Sequence, residues 1–183
     1  MRELNTIRLR LRPLVAGDRD ALYSISAEAE VIQHLIMRPQ SIEEFRQPFD
    51  QMLELSSTLG MWAIVHKDDD RLIGRCGYFP CSEVATGTPE LVYLLSRAYW
   101  GVGLATEAAR RCLEYAFCEH AWPEVVAMVR IGNAASVRVL RKLGMDRLRP
   151  IDVRGIAADL YRLRRTVYLS REASERGAMP TRP

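Results

Sequence analysis

Apolar and basic residues alternate from Thr6 to Arg12. Ile7, Leu9 and Leu11 fall on one side and Arg8, Arg10 and Arg12 on the other, which is the two-residue period of a half-buried strand. A row of arginines can touch RNA, but charge along a strand is a common guard against edge-to-edge pairing, and a solvated edge is the expectation here. Pro13 ends the strand. Asp18 stands at a cap position, and Ala21, Leu22 and Ile25 make a helical stripe up to about Ala27. Ser41-Ile42-Glu43-Glu44 has capping-box spacing, and Phe45, Phe49, Met52 and Leu53 continue at helical spacing to about Ser57. The pattern then changes: Met61 to His66 and Leu72 to Phe79 flank the polar Lys67-Asp68-Asp69-Asp70 turn as a β-hairpin, with Gly74 and Gly77 marking bends in the second arm.

Pro80 and Thr86-Gly87-Thr88-Pro89 form a loop, after which Glu90 to Ser96 is mostly apolar and predicts a central strand. The turn Arg97 to Gly103 leads into a strong helix from about Ala105 to Cys118. Ala105, Ala108, Ala109, Cys112, Ala116 and Phe117 share one face of it, and Glu107 with Arg111 and Arg110 with Glu114 are spaced for pairing on the other. Val125 to Arg130 predicts a buried strand. Asn133 caps a helix with Ser136, Val139, Leu140 and Leu143 on its inner side, and Gly144 closes it. Two last strands are expected around Arg147 to Val153 and Asp159 to Tyr168, followed by a polar, frayed tail from Ser170.

Composition narrows the function classes. With 183 residues the chain suits one domain, taken as residues 1–169 with residues 170–183 as the tail; 48% hydrophobic and 27% charged residues exclude a disordered or fibrous protein. No apolar run is long enough to cross a bilayer and the first residues lack a signal-peptide core, so a cytoplasmic protein without a membrane partner is expected. A net charge of +3 is too small to argue for nucleic acid. Cys76, Cys81, Cys112 and Cys118 form no C-x-x-C pair, and His34, His66 and His120 lie in different elements, so neither a metal site nor a redox motif is written.

Chemistry concentrates at Gly101-Val102-Gly103, where a strand meets a helix N-terminus. Unpaired N–H groups and the helix dipole favour an anion there, although the same glycines also suit close packing of strand on helix. A P-loop would need Lys-Ser/Thr where Leu104 and Ala105 stand. A dinucleotide fingerprint would need glycine where Thr106 stands.

The run Tyr99 to Ala108, containing Trp100-Gly101-Val102-Gly103-Leu104-Ala105, resembles the pyrophosphate motif Q/R-x-x-G-x-G/A of the GNAT superfamily of N-acetyltransferases, with Trp100 in place of Gln or Arg. That variant looks like the ribosomal-protein N-terminal acetyltransferase branch. Asn133-Ala134-Ala135-Ser136 followed by Lys142-Leu143-Gly144-Met145 is similar to a second block of the family. The resemblance, from Thr6 to about Tyr168, implies a single α/β domain with a mixed, curved sheet of about seven strands flanked by helices. It implies acetyl-CoA as cosubstrate and direct acetyl transfer to a primary amine, a protein N-terminus or a small molecule, with no metal. Carried over to this chain, Trp100, Gly101, Val102, Gly103, Leu104, Ala105 and Thr106 hold the phosphates. Tyr93, Leu94 and Leu95 line the pantetheine arm, and Asn133 and, less securely, Ser136 contact it. Glu90 occupies a general-base position, its alternative being an anchor for the preceding loop. Leu140 stands where many members carry an acidic tyrosine, which leaves the thiolate's proton donor unassigned. A homodimer is open, and a non-catalytic acyl-CoA-binding or sensing module is the alternative from another class.

Overall fold

A computed structural model describes residues 2–38, 41–81, 83–84 and 87–177. Its strands are β1 Leu4–Asn5, β2 Leu9–Pro13, β3 Met61–His66, β4 Arg71–Pro80, β5 Pro89–Leu95, β6 Glu124–Arg130, β7 Asp146–Val153 and β8 Ile156–Arg164. The helices are α1 Arg19–Ser26, α2 Ala29–Ile32, α3 Ile42–Thr58, α4 Leu104–Glu114, α5 Ala134–Lys142 and α6 Arg165–Gly177. All eight strands join one sheet in the order β1-β2-β3-β4-β5-β6-β8-β7. Every neighbouring pair is antiparallel except β5–β6, which is parallel and requires the α4 crossover.

Two apolar layers fix the sheet. On one face Trp62, Ile64, Cys76 and Tyr78 pack against Ala108, Ala109, Cys112 and Phe117 of α4 and its continuation. The Tyr78 hydroxyl donates to the Cys112 carbonyl at 2.7 Å, so this buried phenol is satisfied. On the other face Met61, Ala63 and Leu94 meet Leu22 and Ile25 of α1 and Phe45, Phe49 and Met52 of α3. Ser41 caps α3 by accepting the Glu44 N–H, as the sequence spacing requires. Gly144 has a left-handed φ of +77° after α5, and the Met145 N–H returns to the Leu140 carbonyl at 3.0 Å.

Several expectations are corrected. Ile7 is 92% exposed, because the strand begins only at Leu9 and the short β1 contributes Leu4 to the core in its place. The sheet therefore has eight strands. Arg8, Arg10 and Arg12 are not a bare solvated edge: each has an acidic partner, in Glu107, Asp70 and Asp18. Asp18 makes no side-chain cap to α1. Its carboxylate instead accepts the Val15 N–H at 2.9 Å and both arms of Arg12. Ala21 is exposed. Arg111 turns away from Glu107 to Glu114 and Glu119. The long helix loosens into a π turn over Tyr115–Glu119. Residues 165–177 are helical where a strand to Tyr168 and a frayed tail were expected; Tyr168 packs on Phe117, ring centroids 5.0 Å apart, and the Arg165 side chain donates to the Phe117 carbonyl. The rest of the tail, residues 178–183, lies outside the described residues.

Candidate active site

The ladder between β5 and β6 is a single residue pair, Glu90 opposite Val126. On its other side β5 pairs with β4 along its whole length, from Pro89 to Leu95. Past Glu90 the parallel strands diverge, and a cavity of about 240 Å³ opens at the divergence. Tyr93, Leu94 and Leu95 of β5 line it, α2 contributes Val31, and the following residues add His34 and Leu35. Asn133, Ser136, Arg138 and Lys142 close it along α5.

The head of the cavity is the turn into α4. Gly101 and Gly103 have φ of +82° and +88°, a region that side chains with a Cβ rarely enter. The first helical bond runs from the Glu107 N–H to the Gly103 carbonyl, so the N–H groups of Leu104, Ala105 and Thr106 have no acceptor within the helix. Three devices hold this turn. Trp100 donates its indole N–H to the Leu95 carbonyl at 2.8 Å, which pins the turn to the end of β5, and Arg97 stacks over its ring at 5.3 Å. Arg8 reaches across from the strand side to the Val102 carbonyl at 2.9 Å. Glu107, one turn into α4, receives Thr6 Oγ1 at 2.6 Å and the backbone and side-chain N–H groups of Arg8 at 2.8 Å. Burial raises the Glu107 carboxyl, but these bonds outweigh it and hold the group below its ordinary range.

Across the cavity, Asn133 Oδ1 accepts the Ser136 N–H at 3.0 Å, leaving its amide NH₂ for the cleft. The Tyr93 hydroxyl meets Ser136 Oγ at 2.6 Å. Burial pushes that phenol up despite the Ser136 bond, so it stays neutral.

Below the cavity, on the α1–α3 face, β4 and β5 place Phe79 opposite Glu90 and Arg75 opposite Leu94. Glu90 is only 8% exposed. Burial lifts its carboxyl to about 7 against a backbone bond from Met128 and the charge of Arg75. Arg75 bends over the Phe79 ring at 5.9 Å, and its Nε and Nη1 are shielded from solvent with no hydrogen-bond partner. Burial lowers this guanidinium to about 10.

The sheet half beyond the divergence carries a small apolar group of Cys81, Val126, Ile151, Ala158 and Leu160, with Ile36 and Val84 laid over it. Three arginines tie the covering segments down: Arg130 to the Gln33 carbonyl at 2.7 Å, Arg149 to the Glu83 carbonyl at 2.8 Å, and Arg154 to the Met37 sulfur at 3.6 Å.

A strand, a glycine turn on a helix N-terminus and a parted β5–β6 pair form an architecture that comparison with known proteins can identify. Residues 8–146 match the family model of the acetyltransferase (GNAT) domain, well over half the chain. The chain belongs to the GNAT acetyltransferase family. This GNAT domain is 30% identical over 145 residues to the uncharacterized protein YkkB of Bacillus subtilis, covering 78% of this chain and 84% of that one. It is 29% identical over 150 residues to the uncharacterized N-acetyltransferase p20 of Bacillus licheniformis, covering 80% and 84%. A ribosomal L7/L12 α-N-protein acetyltransferase, solved in complex with coenzyme A, superposes with a TM-score of 0.74 at 17% identity, over 89% of this chain and 98% of that one. At that identity the likeness is one of fold.

Most residues singled out in the sequence meet in one place in the GNAT domain. Tyr93, Leu94, Leu95, Trp100, Gly101, Gly103, Leu104, Ala105, Thr106, Asn133 and Ser136 all line the cavity. Val102 does not: its side chain is exposed, and only its carbonyl takes part, through Arg8. Glu90 lies at the foot of the divergence, outside the cavity wall. Leu140 is fully buried, so the position of the family's tyrosine carries no acid. Within the segments 31–40 and 81–89, which the fold brings over the sheet half beyond the divergence, residues 39–40, 82 and 85–86 lie outside the described residues. The sequence reading gave no site role to Arg8, Arg75, Arg138 or Lys142, although Lys142 belongs to the second block of the family pattern. For the last two a signal existed, since they stand four apart on the helix that Asn133 caps.

Proposed function

We propose that this GNAT domain binds acetyl-CoA in the β5–β6 cavity and transfers the acetyl group directly to a primary amine, with Glu90 taking the amine's proton. The observation that carries this reading is a buried carboxylate near neutrality at the one point where the two strands still touch. The residues present fit the cosubstrate. Leu104, Ala105 and Thr106 offer free N–H groups to a pyrophosphate, Arg138 and Lys142 offer cations, and the apolar walls of Leu94 and Leu95 suit a pantetheine arm. When bound, acetyl-CoA supplies a thioester carbonyl.

The chain's own residues then have distinct tasks. An amine is mostly protonated at neutral pH and cannot attack until a base removes a proton. Glu90, half ionised near pH 7, is matched to that step and can act directly or through a water. Backbone N–H groups on the open side of β5 donate to the carbonyl oxygen as negative charge grows on it. Tyr93, neutral and held by Ser136, keeps the wall of the cleft fixed. With Leu140 at the place of the family's tyrosine, the departing thiolate would take its proton from water at the open end.

The acceptor is a protein N-terminus or a small-molecule amine. The Trp100-Gly101-Val102-Gly103 variant is the sequence feature that speaks for the former, and the surroundings of Arg75 favour the latter. Release of free thiol from acetyl-CoA over a panel of amines and N-terminal peptides tests the reading. Glu90→Gln should lower kcat by about 10² to 10⁴-fold with coenzyme A affinity retained. The loss should shrink as pH approaches the amine pKa, where the acceptor deprotonates unaided. Equal rates in parent and variant would remove Glu90 as base. Absence of transfer to any amine would favour an acyl-CoA-binding module instead.

A further inference from the structure

Among the described arginines of the strands, Arg75 stands apart in having shielded nitrogens with no hydrogen-bond acceptor. Arg8, Arg10, Arg12 and Arg147 each hold a carboxylate. Arg75 is half-buried on the α1–α3 face of the sheet, has no ion pair among the described residues, and leaves Nε and Nη1 unbonded and shielded. Guanidinium N–H groups that lose water and gain no acceptor are costly, and replacing such a side chain with an apolar one of similar length usually costs little or stabilises. A ligand carboxylate brought to these N–H groups would supply the acceptors that the chain does not.

Its surroundings define that ligand. Arg75 and Glu90 share one face of adjacent strands, and the guanidinium leans over Phe79, the direct cross-strand neighbour of Glu90. Gly77, between Arg75 and Phe79 on that face, has no side chain to separate them. The two charges influence each other and yet form no ion pair. A base on one side and a forked cation on the other are complementary to a molecule with an ammonium and a carboxylate close together. The carboxylate would accept two parallel N–H bonds from the guanidinium while the nitrogen faces Glu90. The tethers from Arg130, Arg149 and Arg154 hold the covering segments close to the sheet, which suits a short acceptor rather than a polypeptide end, and they add positive charge to the same side.

We propose that Arg75 is the docking group for a carboxylate of the acceptor, and that the acceptor is a small amine of the amino-acid kind. This rests on the assignment of Glu90 as base. Each acceptor is tested as the free acid and as its carboxamide, in the parent and in Arg75→Met, Arg75→Lys and Glu90→Gln. The parent should favour the acid by about 100-fold or more in kcat/KM, since a site built to bond a polar group rejects the analogue that lacks it. Arg75→Met should bring the acid down to the level of its amide, mainly through KM. Arg75→Lys should restore only part of the preference. Glu90→Gln should lower kcat for acid and amide alike and keep their ratio.

Melting curves supply a readout that does not need turnover. Arg75→Met without ligand should melt at or above the parent, and the N-acetylated acids should raise the melting point of the parent only. Parity of acid and amide in the parent, a preserved preference in Arg75→Met, or a melting point of that variant well below the parent would overturn the proposal. So would a preference for peptides with an acidic first residue over every free amino acid. If the parent acetylates no amine, the assignment of function fails by itself. The carboxylate site is then decided by whether acids, and not amides, shift the melting of the parent and fail to shift that of Arg75→Met.

Discussion

Glu90 couples the stability of the protein to the pH of its chemistry. Its carboxyl moves from 4.5 to about 7 on folding. The protonated form is therefore favoured in the fold, and the stability it contributes is complete below about pH 4.5 and lost as pH rises through 7. A shift of that size corresponds to about 3 kcal/mol. Urea unfolding of parent and Glu90→Gln across pH 4 to 8 should show the variant gaining on the parent by roughly that amount. In the same window the parent's kcat/KM should climb with an apparent pKa near 7, a limb that Glu90→Gln should lack. Glu90 was singled out because, at the start of an apolar strand, it occupies the place of a general base in the family the chain resembles. Arg8 and Arg75 were not. An arginine in an alternating strand looks the same whether it meets water, a carboxylate such as Glu107 across 99 residues of chain, or nothing at all. Only the fold supplies the partner or withholds it.

The turn between β5 and α4 is an element whose parts are separable by mutation. Gly103→Val places a branched side chain at a φ of +88° and crowds the approach to the free N–H groups, so coenzyme A affinity should fall by about 3 kcal/mol, more than 100-fold, in a protein that still folds. Calorimetric titration, with circular dichroism as the control for folding, checks it. Trp100→Ala removes a ring that packs against both apolar layers and an N–H bonded to Leu95. A half-buried aromatic of this kind should cost about 2 to 3 kcal/mol and lower the melting temperature by roughly 5 to 10 °C, along with cofactor affinity. A superimposable melting curve would show that the ring is not structural. Elements read well where a local signal was complete, as in Ser41 capping α3 or Asn133 capping α5. The junction of β8 and α6 was misread because its helix has few apolar residues of its own. It is held by Tyr168 on Phe117 and by Arg165 on the Phe117 and Pro123 carbonyls, contacts that exist only once the Tyr115–Glu119 turn is in place.

At the scale of the whole molecule, the order of the strands fixes where chemistry can occur. The sequence identified β5 as central and β6 as a buried, apolar strand, but not that the two would pair in parallel or that their ladder would stop after one pair, since neither follows from either strand's composition. One pair of residues makes the sheet two sheets that meet at a hinge of hydrogen bonds. Near the β1–β2 side of the sheet Arg8, Arg10 and Arg12 are each paired with a carboxylate. Along the two inner margins, Leu91–Leu95 and Ala127–Arg130, the strands pair with each other at no residue beyond Glu90–Val126, although the Met128 N–H bonds Glu90, and open strand margins are templates for unwanted pairing. Hydrogen–deuterium exchange should find these amides among the fastest of any strand in the free protein, and coenzyme A should slow them as it fills the gap. Unchanged exchange on saturation would place the ligand elsewhere. A concentrated, ligand-free preparation should likewise associate through these margins and be kept monodisperse by coenzyme A, so that the cosubstrate acts in this fold as the strand the chain does not encode.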